Sequence, residues 1–316
     1  MLRLLLAILL LPAPALAETV FVSNEALDVV HVIDGGTARK LADIKVGKRP
    51  RGIALSPDGW TLYVAVSNDN RIDVVDVAAR RVTGSLPSGP DPEMFAVAPD
   101  GRRLFASNED DNFVTFIDVA GKRSVREVGV GMEPEGVGVS PNGKLVAATS
   151  ESSGMVHIID TATGELVDNL PVDTRPRYAA FTPDGKQLWV SSEVRGTVTI
   201  FDVATRRRLG LIDFEAARLA EIVQPVGIAF MRDGGRAFVA LGRGNMVAEV
   251  DPKRFAIRRT FPVGQRAWQI ALSPDDRRLY AANGLSGDVS VIDLGSNEVA
   301  ATVPVGGKPW GVAVAR

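Results

Sequence analysis

The residues best suited to chemistry flank a recurring proline position, and their types change from copy to copy. They read Arg49-Pro50-Arg51, Asp91-Pro92-Glu93, Glu133-Pro134-Glu135, Arg175-Pro176-Arg177, Gln224-Pro225-Val226, Arg266-Ala267-Trp268 and Lys308-Pro309-Trp310. A second recurring position adds Glu25, Glu109, Glu151 and Glu193, with the run Glu109-Asp110-Asp111-Asn112 beside one of them. Carboxylates converging from several loops could hold a hard cation such as Ca²⁺, which takes roughly six to eight oxygen ligands. Trp268 and Trp310, beside Arg266 and Lys308, offer stacking surface and positive charge to a planar anion such as a quinone carboxylate.

Other reactive constellations are missing. The two histidines, His31 and His157, occupy equivalent positions in different copies and read as strand residues. No Gly-x-Ser-x-Gly elbow, His-Glu-x-x-His or phosphate-binding Gly-x-x-x-x-Gly-Lys-Ser/Thr motif is present. With no cysteine there is no disulfide, thiolate metal site or covalent haem attachment. The expectation from these residues is a binding protein without catalytic residues. Its site would be formed by Arg49, Arg51, Glu93, Glu135, Arg175, Arg177, Arg266, Trp268, Lys308 and Trp310.

Those positions are set by a repeat. An aromatic or small residue is followed thirteen positions later by an aspartate: Phe21 and Asp34, Tyr63 and Asp76, Phe105 and Asp118, Ala147 and Asp160, Trp189 and Asp202, Phe238 and Asp251, Tyr280 and Asp293. Successive copies lie 42 residues apart, except for one interval of 49. Between the apolar runs fall Pro-Asp-Gly-like turns such as Pro57-Asp58-Gly59, in which proline presets φ and glycine accepts a positive one. Seven such copies predict an all-β, seven-bladed propeller of four-stranded antiparallel blades. The chain starts within one copy and ends within another, so the N- and C-terminal strands should pair in one blade and close the ring. The prolines precede the innermost strands, which places the variable pairs around the mouth of the central channel. They should form two basic sectors, an acidic one and one with two tryptophans. The repeated aspartates read as turn-capping groups. The extra residues at 213–222 are rich in helix formers and predict a short helix on the variable face.

The chain has 316 residues with a formal net charge of −2, which offers no basic face for nucleic acid. Residues 1–17 combine Arg3, a short apolar run and Ala15-Leu16-Ala17, the pattern of a secretory signal cleaved after Ala17. That run is too short to span a bilayer. One propeller domain over 18–316, in the periplasm or secreted, is the resulting expectation.

The segments Phe21-Val22-Ser23-Asn24, Phe105-Ala106-Ser107-Asn108 and Tyr280-Ala281-Ala282-Asn283, each leading through a polar loop into a Val-x-Val-Ile-Asp-like strand, resemble the YVTN-type β-propeller repeat family. A leader followed only by seven cysteine-free repeats resembles, more narrowly, the β-propeller proteins associated with PQQ-dependent catabolism. That resemblance implies a periplasmic accessory role with no assigned activity, binding a small molecule such as pyrroloquinoline quinone or docking a quinoprotein dehydrogenase, cytochrome or transport component. A second reading resembles the propeller lactonases: Glu93, Glu109, Glu133, Glu135 and Glu151 around a metal, activating water for hydrolysis.

Overall fold

The computed structural model describes residues 18–316, so the leader-like segment 1–17 lies outside the described residues. Short, mostly apolar runs broken by tight turns give, among the described residues, 28 strands in seven four-stranded antiparallel sheets, with largely exposed residues in the outermost strands. In blade 1 the innermost strand is Pro309–Ala315, followed outward by Thr19–Asn24, Val29–Asp34 and Arg39–Lys45. The C-terminal strand pairs antiparallel with the N-terminal one, Phe21 opposite Ala313, and this pairing closes the ring. The innermost strands of blades 2 to 7 are Pro50–Leu55, Pro92–Val97, Pro134–Val139, Pro176–Phe181, Ile228–Phe230 and Ala267–Leu272.

Each blade is buried on both faces against its neighbours. The marker residues Phe21, Phe105, Trp189, Phe238 and Tyr280 are wholly buried in these inter-blade layers. Phe105 meets Phe116 edge-on at 4.7 Å, and Trp189 meets Phe230 at 5.2 Å across the junction of blades 5 and 6. The polar members of the motif are structural as well. Ser23 and Ser107 donate from the second strand of one blade to the backbone oxygens of Arg51 and Glu135 on the innermost strand of the next, and Ser191 to that of Val226 just before the blade 6 strand, at 2.6, 2.5 and 2.7 Å. Asn24 is held by Gly306 O and the ring of His31, and Asn108 donates to Thr115.

The repeated carboxylates cap turns. Asp34 accepts the Thr37 amide, Asp202 that of Thr205, and Asp293 those of Gly295 and Ser296, which holds all three below the usual carboxylate range. In the hairpins, Asp58 accepts the Trp60 amide and Asp184 that of Lys186.

The extra segment corrects the expected helix. Residues 214–218 form turns instead, followed by irregular backbone, with Arg218 at φ +51° after its amide bonds to Glu215 O. A left-handed residue ends helical propagation, and Phe214 and Val223, both buried between blades 5 and 6, pin the two ends of the excursion to the core. Replacing Phe105 with alanine should destabilise the ring by about 3–5 kcal/mol in urea unfolding, as expected for an aromatic removed from a close-packed layer; an unchanged midpoint would contradict this packing scheme.

Candidate functional site

In five of the seven blades the residue before the innermost strand takes a left-handed backbone conformation: Arg49 (φ +55°), Asp91 (+47°), Glu133 (+56°), Arg175 (+61°) and Arg266 (+61°). A residue preceding proline ordinarily avoids helical conformations of either hand, so the surroundings must impose this one. The imposing group in four blades is an Asx side chain from the preceding blade. Asp28, Asn70, Asn112 and Asn245 accept the amides of Arg49, Asp91, Glu133 and Arg266 at 2.9–3.0 Å. Carbonyls of the same residues accept amides from the loop after the second strand, as when Glu109 N donates to Asp91 O at 3.1 Å. A register shift follows within the innermost strands, between Pro50 and Ile53, Pro92 and Phe95, and Pro134 and Val137. Such bulges re-aim side chains, and here they lie beside Arg51, Glu93 and Glu135 at the channel mouth.

Three positions per blade therefore converge: the residue before the proline, the residue after it, and the first residue beyond the second strand. In blade 3 these are Asp91, Glu93 and Glu109. Their carboxylate oxygens lie within 4.8 Å of one another, a set able to hold a metal ion. Glu93 is fully buried and its Oε1 makes no hydrogen bond among the described residues, although Arg49 Nη2 is 3.1 Å away. Burial first, then the nearby Glu135 and Asp91 carboxylates, push Glu109 above the usual carboxylate range against the pull of Arg51 and Arg49. This geometry overturns the expectation of a chain unlikely to be an enzyme, because a compact Asp/Glu/Glu cluster is a candidate catalytic metal centre.

The four glutamates expected to share a cation do not act as one group. Glu25 pairs with Arg51, Glu151 with Arg175 and Arg177, and Glu193 with Arg175, Arg177 and Arg266. Nor are there free basic sectors. Arg49 binds both oxygens of Asp91 at 2.8 and 3.0 Å, Arg51 binds Glu93, and Arg177 binds Glu135 at 2.9 Å. Each pair joins equivalent positions of adjacent blades, 42 residues apart. The acidic blades 3 and 4 are thus clamped between the basic blades 2 and 5.

The tryptophans complete the ring. Trp268 and Trp310 lie 6.1 Å apart at 31°, with Arg266 4.0 Å from the Trp268 centroid, Arg177 on that ring at 5.3 Å, and Arg51 over Trp310 at 5.6 Å. Trp310 is 1% exposed and its Nε1 has no hydrogen-bond partner. Beside blade 3, a cavity of about 370 Å³ is lined by Glu109, Glu133, Glu151, Ser152, Thr174, Arg175 and Val194. Lys308 is exposed at the rim, its backbone amide held by Asn24.

Sequence reading missed Asp91 as a ligand. The signal available was that only blades 3 and 4 carry acids at all three convergent positions, and the pairing by Arg175 and Arg177 that occupies Glu151 of blade 4 has no counterpart at Glu109.

Comparison with known proteins follows the fold. The Cytochrome D1 heme domain family matches residues 94–180, a minor part of the chain. A haem does not fit the one histidine of that segment: His157 Nε2 accepts the Gly131 amide at 3.0 Å and Nδ1 bonds Asn169 at 2.5 Å, so neither ring nitrogen is free. Among curated protein sequences none matches this chain significantly. Among solved structures, hydrazine synthase of Kuenenia stuttgartiensis is similar with TM-score 0.77 and 24% identity, covering 87% of this chain and 92% of that one. A functionally unknown protein of Desulfotomaculum acetoxidans DSM 771 gives TM-score 0.81 at 17% identity, covering 94% and 99%. A protein from Lactobacillus plantarum gives 0.80 at 15%, covering 95% and 99%. At these identities the likeness is one of fold: a seven-bladed β-propeller.

His157 carries a pH signature. Burial holds it below its ordinary value near 6.5, and the Gly131 amide requires an unprotonated Nε2. The unfolded chain therefore takes up the proton first, so this histidine's contribution is complete above about pH 6.5 and is lost as pH falls towards the lower folded value. In urea unfolding, the stability advantage of wild type over His157→Gln should shrink between about pH 7.5 and about pH 5.5; a pH-independent difference would contradict the assignment.

Proposed function

We propose that this chain is a secreted metal-dependent hydrolase of small esters or lactones, acting from the channel mouth of blade 3. The observation that carries this reading is the convergence of Asp91, Glu93 and Glu109, with a buried Glu93 oxygen that has no hydrogen-bond partner. The charge balance supports it. Glu25, Asp91, Glu93, Glu109, Glu135, Glu151 and Glu193 meet only Arg49, Arg51, Arg175, Arg177 and Arg266 in the contacting ring, which leaves two negative charges, the amount one divalent cation neutralises.

Asp91, Glu93 and Glu109 would hold the ion, and a bound cation would supply a Lewis acid that polarises a carbonyl and acidifies water. Arg49 and Arg51 orient Asp91 and Glu93 through their ion pairs, the role played by supporting groups around metal ligands. Glu109, its carboxyl raised by burial, gives up its proton when a cation takes its place, so affinity should rise with pH. The cavity bounded by Glu133, Ser152 and Val194 gives a small substrate room beside Glu109, and the exposed Glu133 is available to accept a proton from water.

A second reading keeps the accessory role beside PQQ-dependent catabolism, in the periplasm. It is favoured by the paired Trp268 and Trp310 with their stacked arginines, and by the YVTN-like segments.

Calorimetry with Ca²⁺ and Mn²⁺, paired with hydrolysis of an aryl ester and an aromatic lactone, tests the hydrolase. One ion per chain should bind, Glu109→Gln should weaken it by about tenfold or more, and chelation should abolish turnover. Hydrolysis that persists after chelation, or no ion binding at all, would overturn it and leave the accessory reading.

A further inference from the structure

The channel is divided. Two residues after the recurring proline position stand Gly52, Met94, Gly136, Tyr178, Gly227, Gln269 and Gly311, so four of seven blades present no side chain at this level. The glycines are needed for close approach of neighbouring strands: a Cβ on Gly136 would lie 2.5 Å from Arg177 O, and one on Gly52 2.9 Å from Glu93 O. Met94 and Gln269 belong to blades on opposite sides of the ring, yet Gln269 Nε2 reaches Met94 Sδ at 3.8 Å. Their contact spans the axis and separates the charged mouth from the rest of the channel.

Beyond this layer lies a cavity of about 450 Å³, lined by Ala54, Leu55, Phe95, Val97, Val139 and Phe181 among others, and including Tyr178 but no charged side chain. Its volume falls within the range of roughly 300–1,000 Å³ usual for small-molecule sites. The wall is made of the innermost strands, which are sheet edges and present unpaired backbone N–H and C=O groups to the axis. Burial alone shifts the Tyr178 phenol upward, with no charged or hydrogen-bonding neighbour contributing. The surrounding hairpin turns carry Asp58, Asp100, Asp184, Asp233 and Asp275 together with Arg102, Lys144, Lys186, Arg232 and Arg277, so the rim is of mixed charge.

We infer that this axial well is a second binding site, for one small neutral molecule with an apolar body and a hydrogen-bonding group. The apolar side chains take the body, the strand-edge amides and the Tyr178 hydroxyl take the polar group, and the absence of a counter-charge in the lining rejects ions. Because Met94 and Gln269 meet across the axis between the well and the mouth, occupancy does not depend on a cation at Asp91, Glu93 and Glu109.

Titration with Nile red, a neutral apolar fluorophore, reads this directly. One molecule per chain should bind with enhanced emission, unaffected by chelator or by Glu109→Gln. Leu55→Lys and Val139→Asp, each placing a charge at a half-buried position of the well, should each weaken binding at least tenfold, with circular dichroism showing the ring intact. Should either variant fail to fold, competition with the neutral alcohol 1-naphthol on wild type takes its place, and displacement at one-to-one stoichiometry is expected. Absence of stoichiometric Nile red binding, binding that the folded charged variants leave unchanged, or binding lost on chelation would each overturn the second site.

Discussion

The structure around the channel mouth depends on one interaction: a guanidinium of one blade bonded to a carboxylate at the same repeat position of the next. Arg49 with Asp91, Arg51 with Glu93 and Arg177 with Glu135 are each one repeat apart. These groups are largely withdrawn from water, with Glu93 fully buried and Arg177 4% exposed. Breaking one side of such a pair costs about 3–5 kcal/mol, because the remaining charge is stranded in a poorly solvating environment. The ring therefore has little freedom to rearrange, and the carboxylates it holds are fixed in place before any ligand arrives.

That rigidity creates an imbalance at one point. Arginines enter from blade 2 and from blade 5 and satisfy the outer members of the acidic pair of blades. Glu109, at the junction of blades 3 and 4, has no bonded cation among the described residues, and burial first, then the neighbouring Glu135 and Asp91 carboxylates, raise its carboxyl. The same construction carries aromatic side chains where blades 7 and 1 have Trp268 and Trp310, so one scaffold presents different groups around a single mouth. Chemistry resides in the substitutions between copies, and folding in what the copies share.

This division explains what could be read from the sequence. The ring, the closing blade and the capping role of Asp34, Asp58 and their counterparts were legible, because turn chemistry and the 42-residue interval are local and repeated. The charged sectors were placed at the mouth, but their mutual neutralisation was not foreseen, since Arg51 and Glu93 look independent until adjacent blades are in contact. Asp91 was overlooked as a ligand because its approach to Glu109 depends on a left-handed backbone imposed by Asn70 from the previous blade. At 213–222 helix propensity pointed one way, and burial of Phe214 and Val223 at the two ends decided otherwise. Met94, Tyr178 and Gln269 carried no motif at all; their significance comes from the glycines at the equivalent positions of the other four blades.

Whether the mouth of blade 3 holds a divalent cation, as proposed, is decided by anomalous diffraction from crystals soaked in Mn²⁺. One strong anomalous peak is expected, bounded by Asp91, Glu93 and Glu109, with the Arg49 and Arg51 pairs still in place. A peak at another carboxylate group, or none at the mouth of blade 3, would contradict it.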